Sequence, residues 1–399
     1  MRAWPFVSFV VFCFNSSSLI PTPPTSCWKA LEMPTTETVT ITAEALRSFA
    51  TSLFVTAKVP IGEAALVASS LVDANLCGHE SHGVVRITEY LGFLERGELQ
   101  ADAELLVVSR TASLLVCDGQ FGFGQVQMRR LIELLEPMAR EQGLACGTIR
   151  RCGHVGRLGE WVERVARKNL AGLMSVNDNG VLMCVAPPGG VEPRLSTNPI
   201  ALGVPTAAEP LVLDISTSVV ANGKVRVASV AGRACPDGWL LDSNGQPTND
   251  PATRFRDPPA TILPMGGYKG FGLGLLFDIL IGGLSGGFCP PAPEGEVECN
   301  NALLIVFDPA RFSGLEHFVT QSQGLCEFVR STKPVDPDNE IRLPHDRSRQ
   351  TSAVRRASGV PLDHGTWSQL TECAHRLSVP IPKPISPTDC GEPLRGVRT

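Results

Sequence analysis

Two short stretches hold most of the scarce polar chemistry of this chain. One reads Gly78-His79-Glu80-Ser81-His82-Gly83-Val84-Val85-Arg86-Ile87-Thr88-Glu89-Tyr90, the other Gly153-His154-Val155-Gly156-Arg157-Leu158-Gly159. Together they carry three of the seven histidines and one of the two tyrosines. An imidazole titrates near neutrality and can give or take a proton. A guanidinium matches a carboxylate through two parallel hydrogen bonds. If residues 81–94 form a helix, His82, Arg86 and Tyr90 recur at every fourth position and share one face, while Val84, Ile87, Leu91 and Leu94 turn to the core. Such a face suits a small 2-oxo or 2-hydroxy acid. The competing reading is the solvated side of an ordinary amphipathic helix. Gly83 weighs against that reading, because glycine inside a helix costs about 1 kcal/mol relative to alanine.

The helix expected after His154 begins among glycines, whose free N–H groups suit a phosphate or carboxylate. The spacing Gly153-x-x-Gly156-x-x-Gly159 is not the G-x-G-x-x-G dinucleotide fingerprint, and no such fingerprint follows any expected strand. Asp214 ends the apolar run Leu211-Val212-Leu213 and is followed by Ile215-Ser216-Thr217-Ser218 and Lys224. An acid there can orient a histidine, bind a hydroxyl or cap a helix. The other tyrosine lies in Gly266-Gly267-Tyr268-Lys269-Gly270, which leads into a helix and makes a second anion seat with Lys269. A Walker loop, H-E-x-x-H and G-x-S-x-G are all missing, so a phosphate-binding loop, a zinc protease and a serine hydrolase are set aside. No metal ligand set is expected.

The chain has 399 residues, 43% hydrophobic and 19% charged, which is ample for a buried core and points to a globular protein. A net charge of −5 without long basic runs argues against nucleic acid or an anionic membrane as partner. Thirteen cysteines, odd in number and without a C-x-x-C pair, read as reduced thiols of a cytoplasmic protein. Residues 1–32 read as a leader or unstructured extension before Met33. The apolar stretch 271–284 is interrupted by Asp278 and is too short to span a bilayer.

Helices are expected at 43–50, 62–76, 125–142, 158–168, 271–281, 318–330 and 367–377. Strands are expected at 104–108, 113–118, 145–150, 171–176 and 302–307, with shorter apolar runs at 200–204 and 211–213. This mixture gives an α/β or α+β protein.

In order along the chain, these stretches resemble the malate/L-lactate dehydrogenase family of the non-Rossmann type, with relatives such as ureidoglycolate dehydrogenase, diketogulonate reductase, sulfolactate dehydrogenase and cyclic-imine reductases. The resemblance covers residues 38–382. It also rests on Thr197-Asn198-Pro199-Ile200-Ala201, Leu213 through Ser218, Ala221-Asn222-Gly223-Lys224-Val225, Asp242 through Pro251 and Leu263 through Leu273. It implies a cofactor domain (119–335) on a largely antiparallel sheet and a discontinuous helical domain (33–118 and 336–399). It further implies NAD or NADP as cofactor, a small carboxylate-bearing substrate and a homodimer. By similarity, His82 exchanges a proton at the substrate oxygen, with His154 as the other candidate and Asp214 nearby. Ser81, Arg86 and Tyr90 bind substrate, and Asp178, Asp214, Ile215, Ser216, Lys224 and Lys269 hold the cofactor. A cyclic-imine carboxylate reductase and a non-catalytic metabolite-binding relative are the alternatives. The chain departs from the family where Cys77 replaces a usual arginine and where Pro344-His345-Asp346 replaces Pro-Gly-Glu.

Overall fold

The computed structural model describes residues 38–230 and 232–385. The expected leader, residues 1–32, lies outside them. The described chain opens with strand β1 (Thr38–Ile41), then helices α1 (Ala43–Thr56), α2 (Ile61–Leu76) and α3 (Arg86–Arg96). Thr42 caps α1, its hydroxyl accepting from the Ala45 N–H at 3.1 Å. Leu46, Phe49, Ala50 and Leu53 recur at helical spacing and are buried against Val67, Ala68, Leu71 and Val72 of α2.

A sheet follows, with strands β2 (Leu106–Arg110) and β3 (Leu114–Asp118), helix α4 (Gly124–Gln142), β4 (Leu144–Cys152), α5 (Leu158–Ala166), β5 (Ala171–Asn177), β6 (Ile200–Val204) and β7 (Leu211–Ile215). Helix α6 (Asn222–Val230) precedes a small sheet of β8 (Leu240–Leu241), β9 (Pro247–Thr248) and β10 (Thr261–Ile262). Then come α7 (Tyr268–Ser285), β11 (Asn300–Phe307), α8 (Leu315–Arg330), α9 (Asp346–Ser358), β12 (Val360–Asp363) and α10 (His364–Leu377). The chain's last segments return to its first. β12 pairs antiparallel with β1, and Leu370 and Ala374 of α10 enter the core of α1 and α2. The helical part is therefore built from both ends of the chain.

The large sheet has the order β2-β3-β4-β11-β5-β6-β7, and among the described strands of this sheet only β3 and β4 pair in parallel. β2 and β3, on the N-terminal side of the expected boundary at 118, hydrogen-bond into it through β4. Side chains alternate across a strand, so each sheet face meets its own helices. Ala145 and Ile149 of β4 and Ala302 and Leu304 of β11 share a core with Leu131 of α4 and Trp161 and Val162 of α5. Thr148 points the other way, and its hydroxyl donates to the Leu284 carbonyl of α7 at 3.4 Å.

The expected apolar helix at 271–281 is longer than read. α7 runs for 18 residues and, by length and composition alone, is long enough to cross a membrane. Its one acid is tied into the protein. Asp278 is 1% exposed and accepts from the side-chain amides of Asn177 and Asn198, each at 2.7 Å. Asn177 in turn accepts from the Asn301 amide at 3.0 Å, so α7 is pinned to β5 and β11 by a buried polar network. Asp278→Ala removes one of two acceptors from each amide, leaving Asn177 only the Phe288 carbonyl and Asn198 only the Gly274 carbonyl. With one buried N–H of each amide unpaired, it should destabilise the fold by roughly 2–6 kcal/mol, at 1–3 kcal/mol per buried unpaired donor. Urea unfolding at neutral pH measures this, and an unchanged midpoint would contradict the role given to the network.

Candidate active site

The first island does not form the continuous helix expected over 81–94. After α2 ends, Gly78 turns the chain at φ +79° and Glu80–His82 form one 3-10 turn. At Gly83 the backbone passes so close to α2 that a Cβ there would lie 2.1 Å from Asn75 Oδ1. That oxygen accepts the Val84 N–H at 2.8 Å, and the α-helix starts only at Arg86. His82, Arg86 and Tyr90 therefore do not share one helical face. Val84, Ile87 and Leu91 are buried as expected, but Tyr90 is buried too, at 2% exposure.

The second island brings its histidine to the first. His82 and His154 stack with ring centroids 5.4 Å apart and planes 26° from parallel. His82 Nδ1 faces the Ser81 hydroxyl at 3.0 Å. His154 Nδ1 faces the Tyr90 hydroxyl at 2.7 Å, and Tyr90 accepts from the Gln125 amide at 3.0 Å. Each imidazole thus uses Nδ1 within the protein. Arg86 stands beside them, donating from Nε to the Ser81 carbonyl at 2.8 Å and from Nη1 to Glu89 at 2.5 Å.

The electrostatics follow from this crowding. Burial, then the charge of Arg86, His79, Arg157 and Lys224, pulls His82 down to about 3. Burial, then Arg157 and Lys224, takes His79 to about 4. Burial, Arg86 and His82 hold His154 well below the ordinary value. Burial pushes the Tyr90 phenol up, so it stays neutral. The site is a pair of neutral imidazoles within a positive field.

On one flank, Gly223 of α6 packs on Ser81, and the exposed Lys224 contributes to the field. On another, Asp214 accepts the Gly159 N–H at the start of α5 at 2.7 Å, with Arg157 and His345 as neighbours. Arg157 is 5% exposed, pairs with Glu163 at 3.6 Å and sets a guanidinium beside Cys77. His345 holds φ +79°, and its Nε2 meets Glu163 at 3.4 Å. Burial raises Glu163, but His345, Arg167 and Arg157 outweigh it and hold the carboxyl at about 2.

Asp178 is buried, and both its oxygens are without a hydrogen-bond partner among the described residues. Burial pushes it up to about 7, which the neighbouring Ser196 offsets only in part. Ile215 ends β7 opposite Ile200. Ser216 donates to the Thr197 carbonyl at 3.1 Å, and Lys269 stands exposed on the first turn of α7. The Met265 N–H donates to the Thr217 carbonyl at 2.9 Å, so these last residues form a second group.

Gln125, Asn75, His79 and Arg157 carry site geometry that their spacing did not reveal. Gln125 opens a helix that reads as plainly amphipathic, and its total burial is visible only in three dimensions. A signal did exist at its neighbour. A Cβ at Gly124 would lie 2.2 Å from the Gly153 carbonyl, so the glycine marks a close approach to the His154 loop.

A family profile described as malate/L-lactate dehydrogenase matches residues 41–371. Hydroxycarboxylate dehydrogenase B of Escherichia coli is 33% identical over 345 residues, covering 85% of this chain and 94% of that protein. The (2R)-3-sulfolactate dehydrogenase (NADP(+)) of Chromohalobacter salexigens is 36% identical over 314 residues, covering 76% of this chain and 88% of that protein. The solved delta1-piperideine-2-carboxylate reductase from Pseudomonas syringae pvar. tomato superposes with a TM-score of 0.74 at 32% identity, covering 84% of this chain and 99% of that one.

The neutral histidines have a measurable consequence. Below 6.5 the unfolded chain takes up protons on His79, His82 and His154 that the folded chain refuses down to about 4 or lower. Stability should therefore fall as pH falls through this window, with a limiting slope of about 1.4 kcal/mol per pH unit for each such imidazole. Thermal melts between pH 7 and 4.5 should show the loss, and His79→Asn should make it shallower. A melting temperature independent of pH over that range would contradict the burial of neutral imidazoles.

Proposed function

Because the chain belongs to the malate/L-lactate dehydrogenase family, we propose that it interconverts a small 2-hydroxy acid and its 2-oxo acid with NAD or NADP. The stacked His82–His154 pair beside Arg86 carries this reading. Arg86 receives the substrate carboxylate, with the N-terminal turn of α6 and Lys224 adding to the attraction. The arriving negative charge offsets the field that keeps the imidazoles neutral. A carboxylate about 6 Å from an imidazole, at an effective dielectric of about 20, is worth about 3 kcal/mol, or about two pKa units. Substrate binding thereby readies His82 to hold the proton that the substrate oxygen gains or loses.

The buried, unpartnered carboxyl of Asp178 fits a cofactor amide that would complete its hydrogen bonds, and Lys224 and Lys269 suit the negative charge of a dinucleotide. Asp214, Ile215 and Ser216 would line the same path. When bound, the nicotinamide supplies or accepts the hydride at the substrate C2. Similarity to the piperideine-carboxylate reductase favours a cyclic imine acid as the second substrate class, since the same guanidinium and proton donor serve a C=N bond.

Homodimerisation is part of the proposal. Leu276, Leu280 and Leu284 form an exposed row along α7 (61%, 44% and 53%), a surface that a second copy would cover. The ten cysteines among the described residues are all free, which supports a reducing, cytoplasmic setting.

A panel of 2-oxo acids and cyclic imine acids, assayed with NADH and NADPH by absorbance, tests the reading. His82→Ala should lower kcat by about 10²–10⁴-fold while cofactor fluorescence still reports binding. Arg86→Lys should act mainly on the KM for the acid, because the bidentate geometry is lost. Near-wild-type turnover in His82→Ala removes that residue from the proton transfer. Cofactor binding without turnover of any panel member leaves a metabolite-binding protein.

A further inference from the structure

Tyr90 reaches away from the open side of Arg86 and into the protein. Its ring is held between Phe54 (centroids 6.5 Å) and Phe123 (6.1 Å, 68° between planes), so its hydroxyl has one place to go, between His154 and Gln125. Gln125 is fully buried at the start of α4, where Gly124 lets the helix meet the His154 loop. Three polar groups from three elements (α3, α4 and the loop after β4) thus form a hydrogen-bonded line whose inner members, Tyr90 and Gln125, are buried.

The directions along this line are set by chemistry. An amide NH₂ can only donate, so Gln125 Nε2 gives a proton to the Tyr90 oxygen. The phenol then has its own proton to give, and the neighbour 2.7 Å away is His154 Nδ1. A neutral imidazole that accepts at Nδ1 carries its proton on Nε2. We infer that Gln125, acting through Tyr90, locks His154 in the Nε2–H tautomer, making it a fixed hydrogen-bond donor to the substrate oxygen and leaving proton exchange to His82. Gln125 and Tyr90 are positioning residues; His154 is the group that touches substrate.

The consequence is a division of labour between the stacked rings. In reduction, the N–H bond of protonated His82 breaks as the substrate O–H forms, with the hydride coming from the reduced nicotinamide. His82 is left neutral. His154 keeps its proton throughout and stabilises the charge growing on the oxygen, as a preorganised donor does. Its fixed donor also aligns the carbonyl, because Tyr90 and its two aromatic neighbours allow the imidazole little rotation.

This inference rests on the dehydrogenase reading for its role in turnover, whereas the tautomer can be observed without any substrate. The experiment is a nitrogen–proton correlation spectrum of the full chain with isotopically labelled histidine, the His154 signals being identified by their loss in His154→Gln. Wild type should show His154 protonated at Nε2 and bare at Nδ1. Gln125→Glu replaces the donor by an acceptor, so the phenol proton turns to the carboxylate and His154 must donate from Nδ1. The proton should appear there, kcat should fall by about 10²–10³-fold as for a lost oxyanion donor, and cofactor affinity should stay unchanged. A wild-type proton on Nδ1, or an Nε2–H form that survives Gln125→Glu, overturns the inference. Where Gln125→Glu does not fold, Tyr90→Phe decides. Without the phenol both tautomers should be populated, and a pure Nε2–H form would overturn the lock. The expected spectra in a protein that turns over none of the acids or imines would sink the functional reading while leaving the tautomer lock standing.

Discussion

The contact between His82 and His154 ties the turn after α2 to the loop after β4 and sets the terms for the rest. His82 sits on a tight turn at the end of α2, in the part built from both chain ends, and His154 on the loop between β4 and α5, above the large sheet. Two half-buried imidazoles stacked face to face resist being charged together. Arg86, Arg157 and Lys224 around them raise the cost of charging either one. A substrate that brings its own negative charge relieves this restraint and couples binding to proton affinity.

The surrounding fold shows what it takes to keep that contact. Glycine appears where the backbone must come close. Gly83 presses on Asn75, and Gly124 presses on the Gly153 and His154 carbonyls. Ser70 of α2 donates to Glu160 of α5 at 2.6 Å, a further polar tie between the helical part and the sheet. The parallel pair of the large sheet, β3 with β4, is bridged by α4, whose first turn carries Gln125 to the back of His154. A mostly antiparallel sheet also accounts for the missing G-x-G-x-x-G, which belongs to a parallel crossover ending at a phosphate.

Regular periodicity was readable in advance. α1, α2 and α4 show apolar stripes and β4, β5 and β11 are apolar runs bounded by turns; apart from α1, which runs six residues past its expected end at 50, their limits lie within two residues of the expected ones. The polar helix α9 escaped notice because it buries none of its side chains and so has no stripe to betray it. The β1–β12 pairing joins short strands from opposite chain ends, which local pattern does not report. At the site, residue types and islands were legible while their directions were not. The four-residue spacing of His82, Arg86 and Tyr90 suggested one face because nothing local reveals that Asn75 blocks a helix at Gly83. Arg157 lay within a quoted motif, yet its place beside Cys77 emerges only from packing.

Calorimetry on the NADH-loaded protein, titrated with oxamate as an unreactive 2-oxo acid mimic, reaches the central claim most directly. Run in two buffers of different ionisation enthalpy, it counts the protons taken up as the carboxylate binds. Uptake that grows as pH is lowered from 7 to 5 is the result expected when an anion raises the proton affinity of a buried histidine pair. Tight binding with no proton uptake at pH 5 would contradict it.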